Sequence, residues 1–169
     1  FDQWDPLLVS AILAFQDASV VEKVSALLGL SSLEPDPSLY AGGLSMMFPG
    51  DYLNPHIDNS HDADKAKFRR LNLLFYISPD WQEEFGGNFE LWDEERRNPK
   101  TIVSTANRLV VMETNRTSWH SVSPVQADRP RCCISNYYFS AESPDGSEYF
   151  HVTSFTGRPG QSFRRVLGR

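Results

Sequence analysis

The chain has 169 residues and a formal net charge of -6, and hydrophobic residues make up 40% of it. This length fits one domain with a sizeable buried core and leaves little room for a second. No run approaches the roughly 20 apolar residues that span a bilayer, and the acidic balance argues against a duplex nucleic acid partner. We therefore expect a single domain over residues 1–169 that binds neither membrane nor nucleic acid.

The two cysteines, Cys132 and Cys133, are neighbours in the chain. Neighbouring residues of a strand point to opposite faces, so this pair predicts no structural disulfide and favours a reducing, cytoplasmic setting. Residue 1 is Phe rather than Met, which suggests a trimmed or excised domain and leaves a lost targeting segment open.

The N-terminal part has the pattern of two amphipathic helices, a buttress over about residues 5–30. Asp5 and Pro6 are typical of the N-cap and first position of a helix. For the second helix, Ser19 and Glu22 predict a capping box and Gly29 predicts the C-terminal end. The expected apolar faces are Leu8, Ile12 and Phe15 in the first helix and Val20, Val24 and Leu27 or Leu28 in the second.

From Tyr40 onward the hydrophobic period becomes two, and turn residues recur at short intervals, as in an antiparallel sandwich or barrel. The expected strands lie near residues 43–48, 52–58, 70–77, 88–92, 101–104, 108–113, 118–122 and 131–140. Eight strands after two helices predict a mainly β fold with a jelly-roll, or double-stranded β-helix, core over about residues 40–140.

Residues 141–169 are expected to form a C-terminal extension over the surface rather than a second domain. A short strand is predicted near residues 149–155. The end is rich in arginine: Arg158, Arg164, Arg165 and Arg169.

The tripeptide His56-Ile57-Asp58 is the strongest chemical signal in the chain. Residues i and i+2 of a strand share one face, so the imidazole and the carboxylate converge. His120 follows the hydrophobic strand 108–113 and is the candidate third ligand. Two imidazoles and one carboxylate on one face suit a non-haem Fe(II) ion that must hold a cosubstrate and O2 together.

Arg131 lies eleven residues after His120 and is the first residue of an apolar predicted strand. If its side chain faces inward, its guanidinium needs an anion as partner, because a buried unpaired cation is costly. A carboxylate-bearing cosubstrate, held by a fork of two hydrogen bonds, would be that partner.

In their order and spacing these residues resemble the Fe(II)- and 2-oxoglutarate-dependent dioxygenases, specifically the prolyl 4-hydroxylase-like branch. The resemblance covers roughly residues 44–139. It rests on Phe48-Pro49-Gly50-Asp51-Tyr52-Leu53, His56-Ile57-Asp58, Arg69-Arg70, Leu74-Phe75-Tyr76-Ile77-Ser78-Pro79-Asp80-Trp81, Phe85-Gly86-Gly87-Asn88-Phe89-Glu90-Leu91-Trp92, Trp119-His120-Ser121-Val122 and Arg131.

The resemblance implies a role for each matched residue. His56, Asp58 and His120 match the iron ligands. Arg131 matches the basic residue that pairs with the distal carboxylate of 2-oxoglutarate. Tyr76 matches a tyrosine whose hydroxyl reaches the same carboxylate.

Other matched positions surround the cosubstrate and the prime substrate. Leu74 shares a strand face with the cosubstrate tyrosine, and Phe89 lies where the family has an apolar wall. Arg69 and Tyr137 correspond to pocket-mouth positions that contact the prime substrate in some members. Phe48 occupies a position that some relatives fill with a hydrogen-bonding tyrosine, a difference that bears on the choice of substrate rather than on the cofactor.

The activity implied is hydroxylation of a C–H bond with Fe(II), 2-oxoglutarate and O2, releasing succinate and CO2, with ascorbate as an optional accessory reductant. Asp58 favours hydroxylation, because halogenating relatives lack this carboxylate. A prolyl or other residue in a protein or peptide is the favoured substrate, and a free amino acid or small metabolite is the alternative. A non-catalytic jelly-roll ligand-binding module also stays open, as does a cupin-like metalloenzyme without cosubstrate, against which Arg131 and Tyr76 argue.

Overall fold

A computed structural model describes residues 4–161 of the chain. Within this range two α-helices precede ten strands, which form two five-stranded sheets. This arrangement confirms the predicted mainly β fold with N-terminal helices and a jelly-roll core. No helix in the described range is both long and apolar enough to cross a membrane.

The elements follow the chain in a simple order. The helices are α1 (Pro6–Leu13) and α2 (Ala18–Leu28), and the strands are β1 (Glu34–Pro35), β2 (Gly43–Met47), β3 (Leu53–Ile57), β4 (Phe68–Tyr76), β5 (Phe89–Leu91), β6 (Lys100–Ile102), β7 (Arg108–Glu113), β8 (His120–Val122), β9 (Arg131–Ser140) and β10 (Ser154–Phe155). The major sheet has the order β1-β9-β4-β7, with β2 also paired to β9. The minor sheet has the order β10-β3-β8-β5-β6.

All eight predicted strands are present, and β7 and β9 have the predicted bounds. The strand predicted at 149–155 is shorter, because only Ser154–Phe155 pairs with a neighbour. The arginines predicted at the end of the chain beyond residue 161 lie outside the described residues.

Helix α1 begins as predicted. The Asp5 carboxylate accepts a hydrogen bond from the backbone N–H of Leu7 at 2.8 Å, and Pro6 takes the first helical position. The cap satisfies an N–H group that has no partner within the helix.

Helix α2 begins differently from the prediction, and the capping box at Ser19 and Glu22 is wrong. Asp17 is the N-cap, and its carboxylate accepts from both the N–H and the hydroxyl of Ser19. The buried residues of this helix are Val21 and Val24; Val24 belongs to the expected face, whereas Leu27, another expected face residue, is 84% exposed.

The helices cover the outer face of the major sheet. Val21 and Val24 pack in one buried cluster with Leu71, Leu73 and Tyr138. Because side chains alternate along a strand, the intervening residues of β4 and β9 point to the inner face, toward the minor sheet. The helices thus leave the space between the two sheets free for a functional site.

A tight turn at Gly86 brings the backbone against Pro124. Gly86 has φ 65° and ψ -156°, a conformation that is nearly restricted to glycine. A Cβ atom there would lie 1.9 Å from the carbonyl oxygen of Pro124. We expect Gly86→Ala to lower the free energy of unfolding by about 3 kcal/mol or more, measured by urea denaturation.

Gly146→Ala is the matched control. Gly146 also has a positive φ, 73°, but a Cβ atom there would meet nothing within 4 Å. Its expected cost is only about 1 kcal/mol. Equal losses in the two variants would contradict the steric argument.

Candidate metal centre and cosubstrate pocket

The three candidate metal ligands converge on the inner face of the minor sheet. Strands β3 and β8 are neighbours, and His56 lies directly opposite His120. Oδ1 of Asp58 lies 3.8 Å from Nε2 of each histidine, and the three ligand atoms lie within 4.8 Å of one another. The structure therefore brings together the side chains that the sequence predicts, while their role as ligands stays a prediction.

Both imidazoles are oriented by the backbone two residues before them. Nδ1 of His56 lies 2.9 Å from the carbonyl oxygen of Asn54, and Nδ1 of His120 lies 3.0 Å from that of Ser118. A carbonyl oxygen can only accept, so Nδ1 carries the proton and Nε2 keeps a lone pair. Burial and the neighbouring His120 lower the pKa of His56 to about 4, which keeps this imidazole neutral and able to bind a metal at physiological pH.

The two oxygens of Asp58 have different surroundings. Oδ1 faces the histidines, whereas Oδ2 accepts from Nδ2 of Asn72 at 3.2 Å and lies 3.6 Å from Nη1 of Arg69. One oxygen is thus held by the protein and the other is free for a metal. Sequence reasoning missed Asn72, because no local motif links it to Asp58, which lies 14 residues before it in the chain.

A cavity between the two sheets connects these ligands with Arg131. Its wall is formed by Ala41, Ser45, Met47, Leu53, His56, Asp58, Asn72, Leu74, Phe89, His120, Val122, Arg131, Ser135 and Tyr137. Arg131 is 3% exposed, and its Nε donates to the carbonyl oxygen of Gly87 at 3.1 Å. It pairs with no carboxylate in the described part of the chain. A buried cation without an anion fits an anionic cosubstrate.

Tyr76 lies beside this arginine, whose guanidinium is 4.9 Å from the centroid of the phenol ring. The buried hydroxyl makes no hydrogen bond of standard geometry with residues 4–161, although Ser104 and Arg131 lie near it. Burial raises the pKa of Tyr76 to about 12, so the hydroxyl keeps its proton and can donate it to a carboxylate. Leu74 and Phe89 pack against Tyr76 in one apolar cluster.

Cys133 belongs to the same cluster and is fully buried, whereas Cys132 is half-buried. Burial raises the pKa of Cys133 to about 11, so this thiol stays protonated at pH 8. We expect iodoacetamide at pH 8 to label Cys132 and to spare Cys133 in the folded protein. Peptide mass spectrometry checks this, with a urea-unfolded sample as the control in which both thiols react. Equal labelling of the folded protein would contradict the described packing.

The three residues predicted at the substrate side lie in different environments. Tyr137 lines the cavity, and burial together with the Asp58 carboxylate raises its pKa. Arg69 is 2% exposed and lies behind this wall, with its guanidinium 3.9 Å from the Tyr137 ring centroid. Phe48 is 53% exposed and does not line the cavity. The structure thus brings Tyr137 and Arg69 close to the candidate ligands but not Phe48.

Residues 22–139, well over half of the chain, match the family model of the 2OG-Fe(II) oxygenase superfamily. The chain belongs to this superfamily. Fe(II) and 2-oxoglutarate, which give the family its name, and O2 are therefore its cofactor and cosubstrates. The His56, Asp58 and His120 cluster fits the iron, and the buried Arg131 fits the dicarboxylate.

Two similar proteins are prolyl 3-hydroxylases. OGFOD1 of Mus musculus is 32% identical over 96 residues, which are 53% of this chain and 17% of that protein. OGFOD1 of Xenopus laevis is 32% identical over 84 residues, which are 46% of this chain and 16% of that protein. The chain thus spans about a sixth of the length of these curated relatives.

Two similar solved structures are prolyl hydroxylases. A prolyl 4-hydroxylase from Phytophthora capsici has a TM-score of 0.60 and 20% identity, covering 83% of this chain and 48% of that one. The viral collagen prolyl hydroxylase of Paramecium Bursaria Chlorella virus-1 has a TM-score of 0.54 and 14% identity, covering 72% and 70%. These likenesses show a fold shared with prolyl hydroxylases, as the prolyl 4-hydroxylase-like resemblance predicts.

Proposed function

We propose that the chain hydroxylates a prolyl residue in a protein or peptide, with Fe(II) as cofactor and 2-oxoglutarate and O2 as cosubstrates. The observation that carries the proposal is the convergence of His56, Asp58 and His120 in one cavity with the unpaired, buried Arg131. The prolyl substrate is supported by the names of the similar proteins.

In this proposal Nε2 of each histidine and Oδ1 of Asp58 would hold the iron. The iron, with 2-oxoglutarate and O2, would supply the oxidising chemistry that replaces a C–H bond by C–OH and releases succinate and CO2. The fork of Arg131 would pair with the distal carboxylate of 2-oxoglutarate, and the protonated hydroxyl of Tyr76 would donate to it. The burial of both side chains within the barrel supports a pair of donors that is preorganised for this carboxylate.

The remaining residues shape the pocket. Leu74 and Phe89 form an apolar wall that excludes water from the cosubstrate. Tyr137 offers its ring to the prime substrate, and Arg69 supports that ring from behind. Phe48, which is exposed, would meet only the part of a polypeptide that stays outside the cavity.

A reducing compartment such as the cytoplasm is also proposed. It is supported by the free thiols of Cys132 and Cys133, since oxidising compartments favour disulfides.

Anaerobic addition of Fe(II) and 2-oxoglutarate is the first test, because chelation of the metal by the 2-oxoacid gives a visible charge-transfer band. Peptide and amino-acid pools are then incubated with O2 and searched by mass spectrometry for a gain of one oxygen atom. A gain on proline-containing peptides that is lost when the proline is replaced by alanine is expected. A gain of oxygen on free amino acids alone would overturn the proposal of a polypeptide substrate. Absence of both the charge-transfer band and succinate formation would overturn the proposed enzymatic activity.

A further inference from the structure

A segment beyond the family match runs along the edge of the minor sheet. This segment, residues 151–158, is here called the strap. Its strand β10 pairs with β3, the strand that carries His56. Before β10, the backbone N–H of His151 donates to the Ser60 hydroxyl. The carbonyl oxygen of His151 accepts a hydrogen bond from the backbone N–H of Ser60. After β10, the backbone N–H of Thr156 donates to the carbonyl oxygen of Pro55 at 2.8 Å. The strap therefore covers the chain from residue 55 to residue 60, which includes two of the three candidate ligands.

Phe155 of the strap lies directly opposite His56 in the β10–β3 pair. Paired residues of neighbouring strands project from the same face, and the two rings stack with centroids 4.9 Å apart and planes inclined by 26°. The His120 ring lies 4.1 Å from the same imidazole. With its Nδ1 bound to the carbonyl oxygen of Asn54 as well, the His56 ring is held by three contacts.

Arg158 anchors the other end of the strap to three strands. Its Nη1 lies 2.8 Å from Oε2 of Glu90, a carboxylate that is 7% exposed. Its Nη2 donates to the carbonyl oxygens of Val122 at 2.8 Å and Leu53 at 3.2 Å. The register of β3 and β8 shifts between Leu53 and His56, so the guanidinium binds where the two strands depart from regular pairing. A buried carboxylate needs such a cation, which makes the anchor costly to break.

We propose that the strap holds β3 in place and that Phe155 is a positioning residue, which sets the orientation of the His56 imidazole for metal binding. The inference rests on the proposed function, because it takes His56 as a metal ligand. Phe155 is 48% exposed and so contributes little to the core. Its loss should consequently affect the affinity for the metal more than the stability of the fold.

The test is a titration of the full chain with Mn²⁺ alone, followed by the loss of the free-ion EPR signal. Phe155→Leu is expected to weaken Mn²⁺ binding about 10-fold, as for other groups that orient metal ligands, with a melting temperature close to that of the wild type. Phe155→Tyr keeps the ring and should restore the affinity. Phe150→Leu is the matched control, since Phe150 precedes the strap and its ring packs on His61, with centroids 5.7 Å apart, rather than on His56.

A second variant loosens the anchor without leaving a buried unpaired charge. Arg158→Met combined with Glu90→Gln is expected to weaken Mn²⁺ binding as well. Wild-type affinity in both Phe155→Leu and this double variant overturns the inference, as does a lower melting temperature with unchanged affinity. A wild-type chain that binds no Mn²⁺ overturns the metal site itself and separates the failure of the proposed function from that of the strap.

Discussion

Replacing either His56 or His120 by alanine is expected to lower 2-oxoglutarate-dependent succinate formation by more than about 100-fold. Each imidazole offers one of only three ligand atoms in the described cluster. Loss of a group that merely orients a metal ligand already costs about 10- to 100-fold, so loss of the ligand itself should cost more. Succinate production and Mn²⁺ binding, measured on the same preparations, check the prediction.

His61→Ala is the matched control. His61 is also buried, at 8% exposed, and its Nδ1 lies 2.7 Å from the Ser60 hydroxyl, outside the metal cluster. Its replacement should leave turnover per folded molecule unchanged. Undiminished turnover in His56→Ala would refute the assignment. Asp58→Ala is a less clean test, because it also removes the carboxylate beside the buried Arg69.

Arg131→Met is expected to weaken 2-oxoglutarate binding by about 30-fold to several thousand-fold, the usual cost of truncating a buried charge pair. The same change should leave the stability of the ligand-free protein within about 1 kcal/mol of the wild type. It removes a buried cation that lacks an anion and keeps an apolar side chain of similar length, although the bond to the Gly87 carbonyl is lost. Binding and stability should therefore respond differently.

Calorimetric titration with 2-oxoglutarate in the presence of Mn²⁺ measures the first effect, and urea denaturation measures the second. Arg131→Lys keeps the charge but not the two-pronged fork, so an intermediate affinity is expected. Arg129→Met controls for a cation nearby, since Arg129 donates to the carbonyl oxygens of Pro79 and Asp80 on the surface. A large loss of stability in Arg131→Met, with unchanged affinity, would show that this arginine serves the fold alone.

Local sequence patterns predicted most of the fold, because the core strands are short, largely apolar runs bounded by turn residues. In β4, Leu71 and Leu73 face the helices, while Leu74 and Tyr76 pack against Phe89 of the minor sheet. The start of α2 was predicted wrongly because two capping residues compete within a few positions. Asp17 binds both the N–H and the hydroxyl of Ser19, which leaves Ser19 inside the helix.

The candidate site was predictable only where its residues lie in short motifs. His56 and Asp58 share a face through their spacing alone, and His120 and Arg131 stand out in apolar surroundings. The groups that orient them did not stand out. The carbonyl oxygens of Asn54 and Ser118 belong to the backbone, which every residue has.

The sequence by itself determined the two helices, the eight core strands and the residue types suited to iron and a dicarboxylate, since these depend on periodicity and on neighbours a few positions apart. Only the tertiary structure decided which distant groups meet. It brings Asn72 into a hydrogen bond with Asp58, stacks Phe155 on His56 and pairs Arg158 with Glu90. Contacts of this kind depend on how the two sheets and the strap pack in space, and no local pattern in the chain records that packing.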